Sequence, residues 1–463
     1  MNPVLNRREL LGTAALGFGQ VAFQSLIGAE TGIGHVGSAH HPARAKRVIF
    51  LFMKGGPSHV DTFDPKPLLN RDHGKPAPFE LPRVTFAGSS GNLLKSPWKF
   101  KRYGDSGLPV SDLFPNVAQC IDDLCIIRSA HGTNPAHGGA ALKLHTGSDT
   151  FVRPSLGSWV VYGLGSENRN LPSFLTICPT LAHGGVNNWG SAFLPQRCQG
   201  TPMGTASSSA KTAKVKHIAS PWQSPKTQRQ QLDFLNQLNR EAAQKNPQVE
   251  ALNARLESFE LAYRMQTSMP EAQDLSGESH ITKKLYGIDD PVTEDFGRQC
   301  LLARRFCERG VRFVQVTHSD SEVQWDQHGN LYQGHTKNAA EVDKPIAGLL
   351  KDLKSRGMLE DTLVVWGGEF GRTPTAQGTD GRDHNPHGFT VWMAGGGVKG
   401  GMAYGATDDY GYYAERDKMH VHDLHATILH LLGLDHERLT FNYAGRDFRL
   451  TDVHGQVARG ILA

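Results

Sequence analysis

The sequence predicts an α/β protein in which helices flank a doubly wound, mostly parallel sheet. Short apolar runs bounded by Gly or Pro, such as residues 47–53 and 362–366, are typical of buried parallel strands. Amphipathic patterns, such as residues 342–356, separate these runs as helices do in doubly wound sheets. The chain of 463 residues also contains 51 glycines, which suit the tight loops that carry functional sites in such folds.

Each element is predicted from its local pattern. β-Branched and aromatic residues between turn signals predict strands at residues 47–53, 124–128, 175–178, 311–316, 362–366 and 389–394. Apolar residues at helical spacing predict helices at residues 138–145, 228–265, 296–309, 342–356 and 424–432. Residues 66–110, rich in Pro, Gly and Lys, are predicted to be irregular. We expect one domain over residues 46–463, with a helical insertion around residues 225–285.

Composition excludes several classes of protein. A hydrophobic content of 38% and a charged content of 20% are ordinary for a globular protein. The net charge is +4 and no Lys/Arg block is interleaved with aromatic residues, so nucleic-acid binding is not expected. The six cysteines form no CxxC pair, so neither a zinc finger nor a disulfide-built scaffold is indicated. One or two disulfides in the exported protein are the alternative to six free cysteines.

The N-terminus has the pattern of an export signal. Arg7 and Arg8 precede a modestly apolar stretch at residues 10–29, which two glutamines interrupt, so a stable membrane span is not expected. Paired arginines before such a stretch are typical of a twin-arginine signal, and the segment at residues 43–45 can close the cleaved part. We therefore expect the twin-arginine machinery to export the protein to the periplasm or beyond. An ordinary N-terminus without a signal is the alternative.

Acidic and histidine side chains recur after predicted strands. Glu369 comes directly after one strand, and Asp383 and His384 are adjacent beyond it, in a glycine-flanked segment that is predicted to be a loop at the end of the strand. Asp326 and His328 lie past another strand. Because the carboxyl ends of parallel strands meet at one edge of the sheet, we expect the two Asp/His pairs to lie together and to bind metal. The alternative is a salt-bridged loop and a turn with surface histidines.

Two further clusters are less specific. Ser58 and Asp61 follow the first strand, and a hydrolase with Ser58 as nucleophile is one interpretation, although no Gly-x-Ser-x-Gly elbow surrounds it. A loop that caps the next element is the other interpretation. Near the C-terminus, Asp423 is expected to cap the following helix, and His425 is one of the histidines that can complete a metal site.

The order of these motifs resembles a known family. The motifs are Gly-Gly-Pro-Ser-His-Val-Asp (55–61), Trp-Asp-Gln-His-Gly (325–329), Gly-Glu-Phe-Gly-Arg-Thr-Pro (368–374), Gly-Arg-Asp-His (381–384) and Asp-Leu-His-Ala-Thr-Ile-Leu (423–429). Together they are similar to a large family of twin-arginine-exported bacterial proteins of unassigned function within the alkaline-phosphatase/sulfatase superfamily. The resemblance covers nearly the whole chain that follows the predicted signal.

The resemblance implies one or two metal ions at the strand ends. Asp383 and His384 match the Asp-His metal pair of the superfamily, and Asp61 is the nearest substitute for the acidic ligand that usually ends the first strand. The predicted metal ligands are Asp61, Asp326, His328, Glu369, Asp383, His384, His387 and His425. The predicted ion is divalent, either zinc or calcium.

The same resemblance implies a nucleophile at the start of a helix, a short distance before a Thr-Gly pair. Counting back from Thr146 and Gly147 reaches His137, where the superfamily has Cys, Ser or Thr. His137 is therefore the predicted nucleophile or a further ligand. Thr133 or Ser129 as the nucleophile, or a fold that has lost this chemistry, are the alternatives.

The resulting hypothesis is an exported, metal-dependent hydrolase of phosphate or sulfate esters. Its expected substrate class includes sulfated or phosphorylated saccharides. A non-catalytic exported binding protein that keeps the same fold is the competing hypothesis, and metal content separates the two.

Overall fold

The computed structural model describes residues 39–80, 89–216, 218–219, 222–245, 250–319 and 324–463. The paired arginines and the apolar stretch of the predicted export signal therefore lie outside the described residues. The predicted end of the cleaved part, at residues 43–45, is described, and it packs against the helix Val421–Leu431: the N–H groups of Arg44 and Ala45 both donate to the Leu431 carbonyl at 2.9 Å, and Ala45 is buried. Within the described residues, no helix is long and apolar enough to cross a membrane.

The described strands and helices follow one another from residue 47 to residue 461. The strands are β1 (Arg47–Met53), β2 (Ser89–Leu93), β3 (Phe100–Tyr103), β4 (Leu108–Ser111), β5 (Leu124–His131), β6 (Phe174–Ile177), β7 (Thr201–Met203), β8 (Phe313–His318), β9 (Thr362–Gly367), β10 (Gly371–Gln377), β11 (Gly381–Asn385), β12 (Phe389–Ala394), β13 (Met402–Tyr404), β14 (Ala406–Thr407), β15 (Ala414–Arg416), β16 (Met419–His420), β17 (Phe441–Tyr443) and β18 (Arg446–Phe448). The α-helices are α1 (His59–Thr62), α2 (Pro67–Arg71), α3 (His137–Thr146), α4 (Leu156–Leu164), α5 (Pro225–Lys245), α6 (Glu250–Gln273), α7 (His280–Leu285), α8 (Glu294–Glu308), α9 (Leu331–Ser355) and α10 (Val421–Leu431). Short 3₁₀ helices span Val117–Asp123, Gly185–Trp189, Gln196–Cys198 and Arg459–Ile461.

A nine-stranded, mostly parallel sheet forms the centre of the fold. Its order is β13-β5-β12-β9-β1-β8-β6-β7, and β16 also pairs with β5. Among these described strands only β12 runs against its neighbours, β5 and β9. The chain thus has the predicted α/β architecture with a mostly parallel sheet, and each of the six predicted strands belongs to it.

Helices cover both faces of this sheet. Side chains alternate across a strand, so β1 sends Ile49 and Leu51 into one apolar core and Phe50 and Phe52 into the other. The first core packs against α8 and α9, and the second against α3, α4 and α10. This two-sided burial explains why the parallel strands have continuous apolar sequences.

Several boundaries differ from the sequence prediction. Residues 66–110 are not wholly irregular, because they contain α2, the β3–β4 hairpin and β2. The helical pattern predicted over residues 228–265 divides into α5 and α6. Helix α10 begins before Asp423, which is not the N-cap. The cap is His420, whose backbone N–H donates to Asp423 Oδ2 at 2.8 Å.

A small second sheet lies beside the central one. It has the order β11-β10-β2 with antiparallel pairing, and it contains the segment that carries Asp383 and His384. These two residues therefore lie on a strand and not on the loop that the sequence predicts. All six cysteines are buried and free, so no disulfide contributes to the fold.

Candidate metal centre

Four chain segments converge beyond the carboxyl ends of the central strands. Asp326 and His328 follow β8, and Glu369 follows β9, which is two strands away across β1. His137 is the first residue of α3, after β5, and His384 reaches the same place from β11. The switch between strands at this edge of an open α/β sheet is where such folds place their sites.

The carboxylate of Asp326 lies at the centre of the group. Its Oδ2 is 3.0 Å from His137 Nε2, and its Oδ1 is 2.9 Å from His328 Nε2 and 3.0 Å from His384 Nε2. One ligand atom from each of these four residues lies within 4.8 Å of the others. The predicted proximity of Asp326, His328 and His384 is therefore present in the structure, and His137 joins them.

A second group shares His137. The other ring nitrogen, Nδ1, lies 2.6 Å from Glu369 Oε1. The buried Glu369 carboxylate also accepts a hydrogen bond from the Gly55 N–H at 3.0 Å. The ring of His183 stacks on that of His137 with a centroid distance of 4.5 Å, and these three residues form a second set of grouped ligand atoms. His137 thus lies between two potential ion positions.

Burial and charge shift the pKa values of this group in opposite directions. Burial opposes ionisation of Asp326, but its contacts with His137, His328 and His384 hold its pKa well below the ordinary value. Burial also opposes protonation of His137, but Asp326 and Glu369 outweigh it and raise the His137 pKa. Burial lowers the pKa of His384 to about 4, which leaves its ring neutral at ordinary pH.

Buried neighbours orient the ligands. The guanidinium of Arg372 is fully buried and contacts Asp326 Oδ1 at 2.5 Å, and its Nε donates to the Gly56 carbonyl at 3.0 Å. His384 Nδ1 lies 2.6 Å from the Pro135 carbonyl, so Nδ1 carries the proton and Nε2 faces the cluster with its lone pair. Contacts of this kind fix the tautomer and direction of metal-ligating histidines.

The donor set fits a divalent cation. The Nε2 atoms of His328 and His384 lie 3.0 Å apart, and both face Asp326. Two lone pairs at this separation repel each other, and a cation held between them and the carboxylate removes that repulsion. The Nε2 atom of His137 is also buried and lies 3.0 Å from Asp326 Oδ2, so it faces the same position. Three imidazole nitrogens with one carboxylate are a common metal-binding set.

Asp383 does not join the cluster, although His384 does. Its carboxylate is not among the grouped ligand atoms of the described residues, although it lies near enough to feel the charges of His328 and Asp326. The Asp383 carboxylate instead accepts the His384 N–H at 2.8 Å, and burial raises its pKa. Among the described residues, the structure thus groups Asp326, His328 and His384 without Asp383, whose role as a ligand stays a prediction.

Ser58 and Asp61 form a separate buried arrangement. Ser58 Oγ donates to Asp61 Oδ2 at 2.5 Å, and the Asp61 carboxylate also pairs with Arg382 at 2.7 Å. Both Asp61 and Arg382 are fully buried. The Asp61 oxygens are thereby occupied by protein donors, and the Ser58 hydroxyl faces a carboxylate and not a histidine base. This geometry argues against a catalytic Ser58 and against Asp61 as a metal ligand.

The two late histidines also lie apart from the ligand cluster. His425 is fully buried on α10 and lies 2.7 Å from the Leu144 carbonyl. His387 is half-buried and packs against the ring of Tyr412. Neither belongs to the grouped ligand atoms of the described residues, because their elements direct them to other contacts.

The two alternative nucleophiles, Ser129 and Thr133, do not contact the ligand cluster. The hydroxyl of Ser129 is buried and donates to the Asp417 carbonyl at 2.6 Å, which turns it towards the β15–β16 connection. Thr133 is exposed. His137 remains the residue that opens α3, as the count back from Thr146 predicts.

Sequence reasoning missed His183 and Arg372. His183 follows β6 and is succeeded by two glycines, the same pattern that surrounds His137. This repeated His-Gly-Gly pattern after a strand is the signal that could have found it. Arg372 lies within a quoted motif, but no sequence feature shows that its charge is buried against Asp326.

The sequence itself decides the family. Residues 45–462 match the model of a family described as a protein of unknown function, DUF1501. The chain belongs to the DUF1501 family. No match was found among curated proteins.

Solved structures similar to this DUF1501 member include a sulfatase, a lipoteichoic acid synthase and an alkaline phosphatase. The PsFucS1 sulfatase from Pseudoalteromonas sp. is 14% identical, with a TM-score of 0.37 over 94% of this chain and 79% of that one. The lipoteichoic acid synthase LtaP from Listeria monocytogenes is 10% identical, with a TM-score of 0.36 over 89% and 78%. The alkaline phosphatase from the Antarctic bacterium TAB5 is 11% identical, with a TM-score of 0.35 over 86% and 99%.

Proposed function

We propose that this protein is a metal-dependent hydrolase of phosphate or sulfate esters that acts outside the cytoplasm. The observation that carries the proposal is the convergence of His137, Asp326, His328 and His384 at the first residue of α3. These three imidazoles and one carboxylate, which come from distant parts of the chain, are suited to hold a cation. The N-terminus of α3 lies at the same place and is suited to bind an anionic substrate.

The proposed ligands of the ion are Asp326, His328, His384 and His137 Nε2. Their nitrogen-rich composition favours zinc over calcium, because calcium takes oxygen ligands. Bound there, the ion would polarise the ester oxygens and lower the pKa of water. His137 Nδ1, His183 and Glu369 form an adjoining group that can hold a second cation.

The start of α3 supports anion binding in the same place. The N–H groups of Gly138 and Gly139 belong to the first turn, where backbone donors have no partner within the helix. A Cβ built at Gly138 would meet nothing within 4 Å, so there is open space beside this turn. Phosphate and sulfate oxygens accept hydrogen bonds from such amides.

Water is the proposed attacking group. Among the described residues, no Ser or Thr hydroxyl is hydrogen-bonded to His137, Asp326 or Glu369. Both nitrogens of His137 face carboxylates, which favours a ligand role over a nucleophilic one. Attack by the water oxygen on phosphorus or sulfur breaks the bond to the ester oxygen, and the leaving alcohol takes up the proton.

Hydrolysis of 4-nitrophenyl phosphate and 4-nitrophenyl sulfate by the zinc-loaded protein tests the proposal. We expect His137→Ala to lose both bound metal and hydrolysis, whereas His387→Ala, outside the cluster, should keep both. Loss of hydrolysis with full metal retention would favour His137 as a nucleophile. A wild-type protein that binds metal and hydrolyses neither ester would contradict the proposal and favour a non-catalytic binding protein.

Export is the second part of the proposal. It rests on Arg7 and Arg8 before a weakly apolar segment, in a part of the chain that the structure does not describe. Replacing both arginines with lysine should leave the protein in the cytoplasm. Unchanged export of this variant to the periplasm would exclude the twin-arginine route.

A further inference from the structure

A second pocket lies at the opposite end of α3 from the metal-binding cluster. Its volume is about 250 Å³, and it is bordered by the last turn of α3, the segment that follows it and the β18 region. Helix α3 has ten residues, so at about 1.5 Å of rise per residue its two ends are roughly 14 Å apart. The pocket is therefore separate from the cluster around His137.

Positive charge predominates in this pocket. Its lining includes four basic side chains and two acidic ones, namely Lys143, Arg153, Arg446, Arg449, Asp149 and Asp452. Arg446 pairs with Asp452, Arg449 lies 3.5 Å from Glu437, and Lys143 lies 3.8 Å from Asp149. Arg153 takes no part in these ion pairs.

Arg153 packs against two aromatic rings and forms no ion pair among the described residues, although Asp452 lies near enough to attract its charge. Its guanidinium lies 4.2 Å from the ring centroid of Phe448 and 5.5 Å from that of Phe151. No carboxylate or carbonyl of the described residues accepts a hydrogen bond from it. Burial, together with the nearby charge of Arg446, lowers the pKa of Arg153. A partly buried guanidinium held between aromatic rings with free donors is arranged to bind an oxyanion.

The rest of the lining suits a ligand with hydroxyl groups and a ring. Thr146, Ser148 and Thr150 border the pocket, and the two carboxylates can accept hydrogen bonds from ligand hydroxyls. Phe151 is 64% exposed at the mouth, so one face of an aromatic ring is available for stacking. Cations, hydroxyl partners and an exposed ring therefore lie within one cavity.

We propose that this pocket binds an anionic saccharide, with its sulfate or phosphate group on Arg153 and its sugar ring against Phe151. The inference does not depend on ester hydrolysis at His137, because the two sites lie at opposite ends of α3. An anionic lipid headgroup is the less favourable occupant, since the exposed ring face of Phe151 offers a stacking partner for a sugar ring that a simple headgroup does not use.

Calorimetric titration with a sulfated tetrasaccharide and its desulfated counterpart tests the assignment. We expect the sulfated form to bind, and Arg153→Gln to weaken its binding about tenfold or more through loss of a charge-assisted hydrogen bond. Arg416→Gln removes an exposed arginine outside the pocket and should bind as the wild type does. The thermal midpoint of each variant shows whether it is folded, and Phe151→Ala provides a second variant at an exposed position.

Each contrary outcome is distinct. Equal binding of the sulfated and desulfated sugars, or unchanged binding by both Arg153→Gln and Phe151→Ala, would overturn the proposal. Inorganic sulfate that binds as tightly as the tetrasaccharide would reduce the pocket to a simple anion site. Binding to vesicles of anionic phospholipid without binding to the sugar would assign a lipid instead. His328→Ala should still bind the sugar, which separates this site from the proposed hydrolase.

Discussion

His137 Nε2 lies 3.0 Å from Asp326 Oδ2 and joins the first residue of α3 to the segment that follows β8. The two residues are far apart in sequence, and each reaches this point from the carboxyl end of a different strand. The same histidine contacts Glu369 through its other nitrogen. One imidazole therefore links two carboxylates, and its position decides how the whole cluster is assembled.

The neighbouring residues Asp383 and His384 should differ in their effect on metal binding. His384 contributes to the grouped ligand atoms, whereas Asp383 does not. We expect His384→Ala to lose most of the bound divalent metal and Asp383→Asn to retain it. Elemental analysis of the purified proteins measures both. Equal metal loss in the two variants would show that Asp383 is a ligand after all.

Arg372 should act as a positioning residue for Asp326. Its planar guanidinium spans the carboxylate and three backbone carbonyls, those of Gly55, Gly56 and Arg382, which an ammonium cannot do from one place. We expect Arg372→Lys to weaken metal affinity about 10- to 100-fold, as loss of a supporting contact usually does. Competition with a chelator of known affinity measures this change.

A matched control is available for Arg372. Arg304 is equally inaccessible, but it pairs with Glu278 and Asp352 on the far side of the first core. Arg304→Lys should lower the free energy of unfolding without changing metal affinity. A parallel loss of metal affinity in both variants would mean that Arg372 acts only through stability.

The sequence predicts the fold better than the site, for a physical reason. Strands buried on both faces, such as β1 and β9, have continuous apolar sequences. Such a strand can be predicted from its own sequence, without knowing which strand it pairs with. The residues of the small β11-β10-β2 sheet are polar and glycine-rich, so their pattern is typical of loops. The predicted loop at residues 381–385 was wrong, because this segment becomes a strand only by pairing with β10.

The same difference explains the outcome for individual site residues. Asp326, His328 and Glu369 could be placed because each follows a predicted strand. The adjacency of Asp383 and His384 suggested a shared ion, but in the structure only His384 belongs to the grouped ligand atoms of the described residues. The role of Arg372 could not be predicted, because its partner Asp326 lies 46 residues away in the sequence. Only the folded structure shows that the two side chains form a buried ion pair.

Gly55 should be required for the geometry of the cluster. Its φ is +104°, and a Cβ there would lie 2.7 Å from the Asp326 backbone nitrogen. We expect Gly55→Ala to lower the free energy of unfolding by about 3 kcal/mol, from a left-handed backbone and overpacking together. Metal binding should fall as well. Chemical denaturation and elemental analysis measure the two effects.

Substitution of Gly74 is a control that measures the cost of the backbone conformation without the cost of crowding. Its φ is also positive, at +81°, but a Cβ there meets nothing within 4 Å. Gly74→Ala should therefore cost only about 1–2 kcal/mol, from the backbone alone, and leave metal binding unchanged. If Gly55→Ala costs no more than Gly74→Ala, close packing against Asp326 does not matter.

The protein should lose stability in acid because it buries neutral histidines. Burial lowers the pKa of His145 to about 4 and that of His425 to about 3. A histidine in the unfolded chain has a pKa near 6.5. Between these values the unfolded chain binds more protons than the folded one, so the stabilisation is complete above about pH 6.5 and is lost as the pH falls towards 4.

Substitution of His145 should flatten this pH dependence. At pH 4.5 the buried ring accounts for a loss of about 2–3 kcal/mol relative to neutral pH, following its pKa difference from the unfolded chain. We expect His145→Leu to show a smaller loss by that amount, because leucine does not titrate and the site is apolar beside Phe50 and Phe52. Urea unfolding at pH 7.5 and pH 4.5 measures the difference, with the exposed His280→Leu as control. A drop in stability between the two pH values that is the same in His145→Leu as in the wild type would show that His145 is not responsible for acid sensitivity.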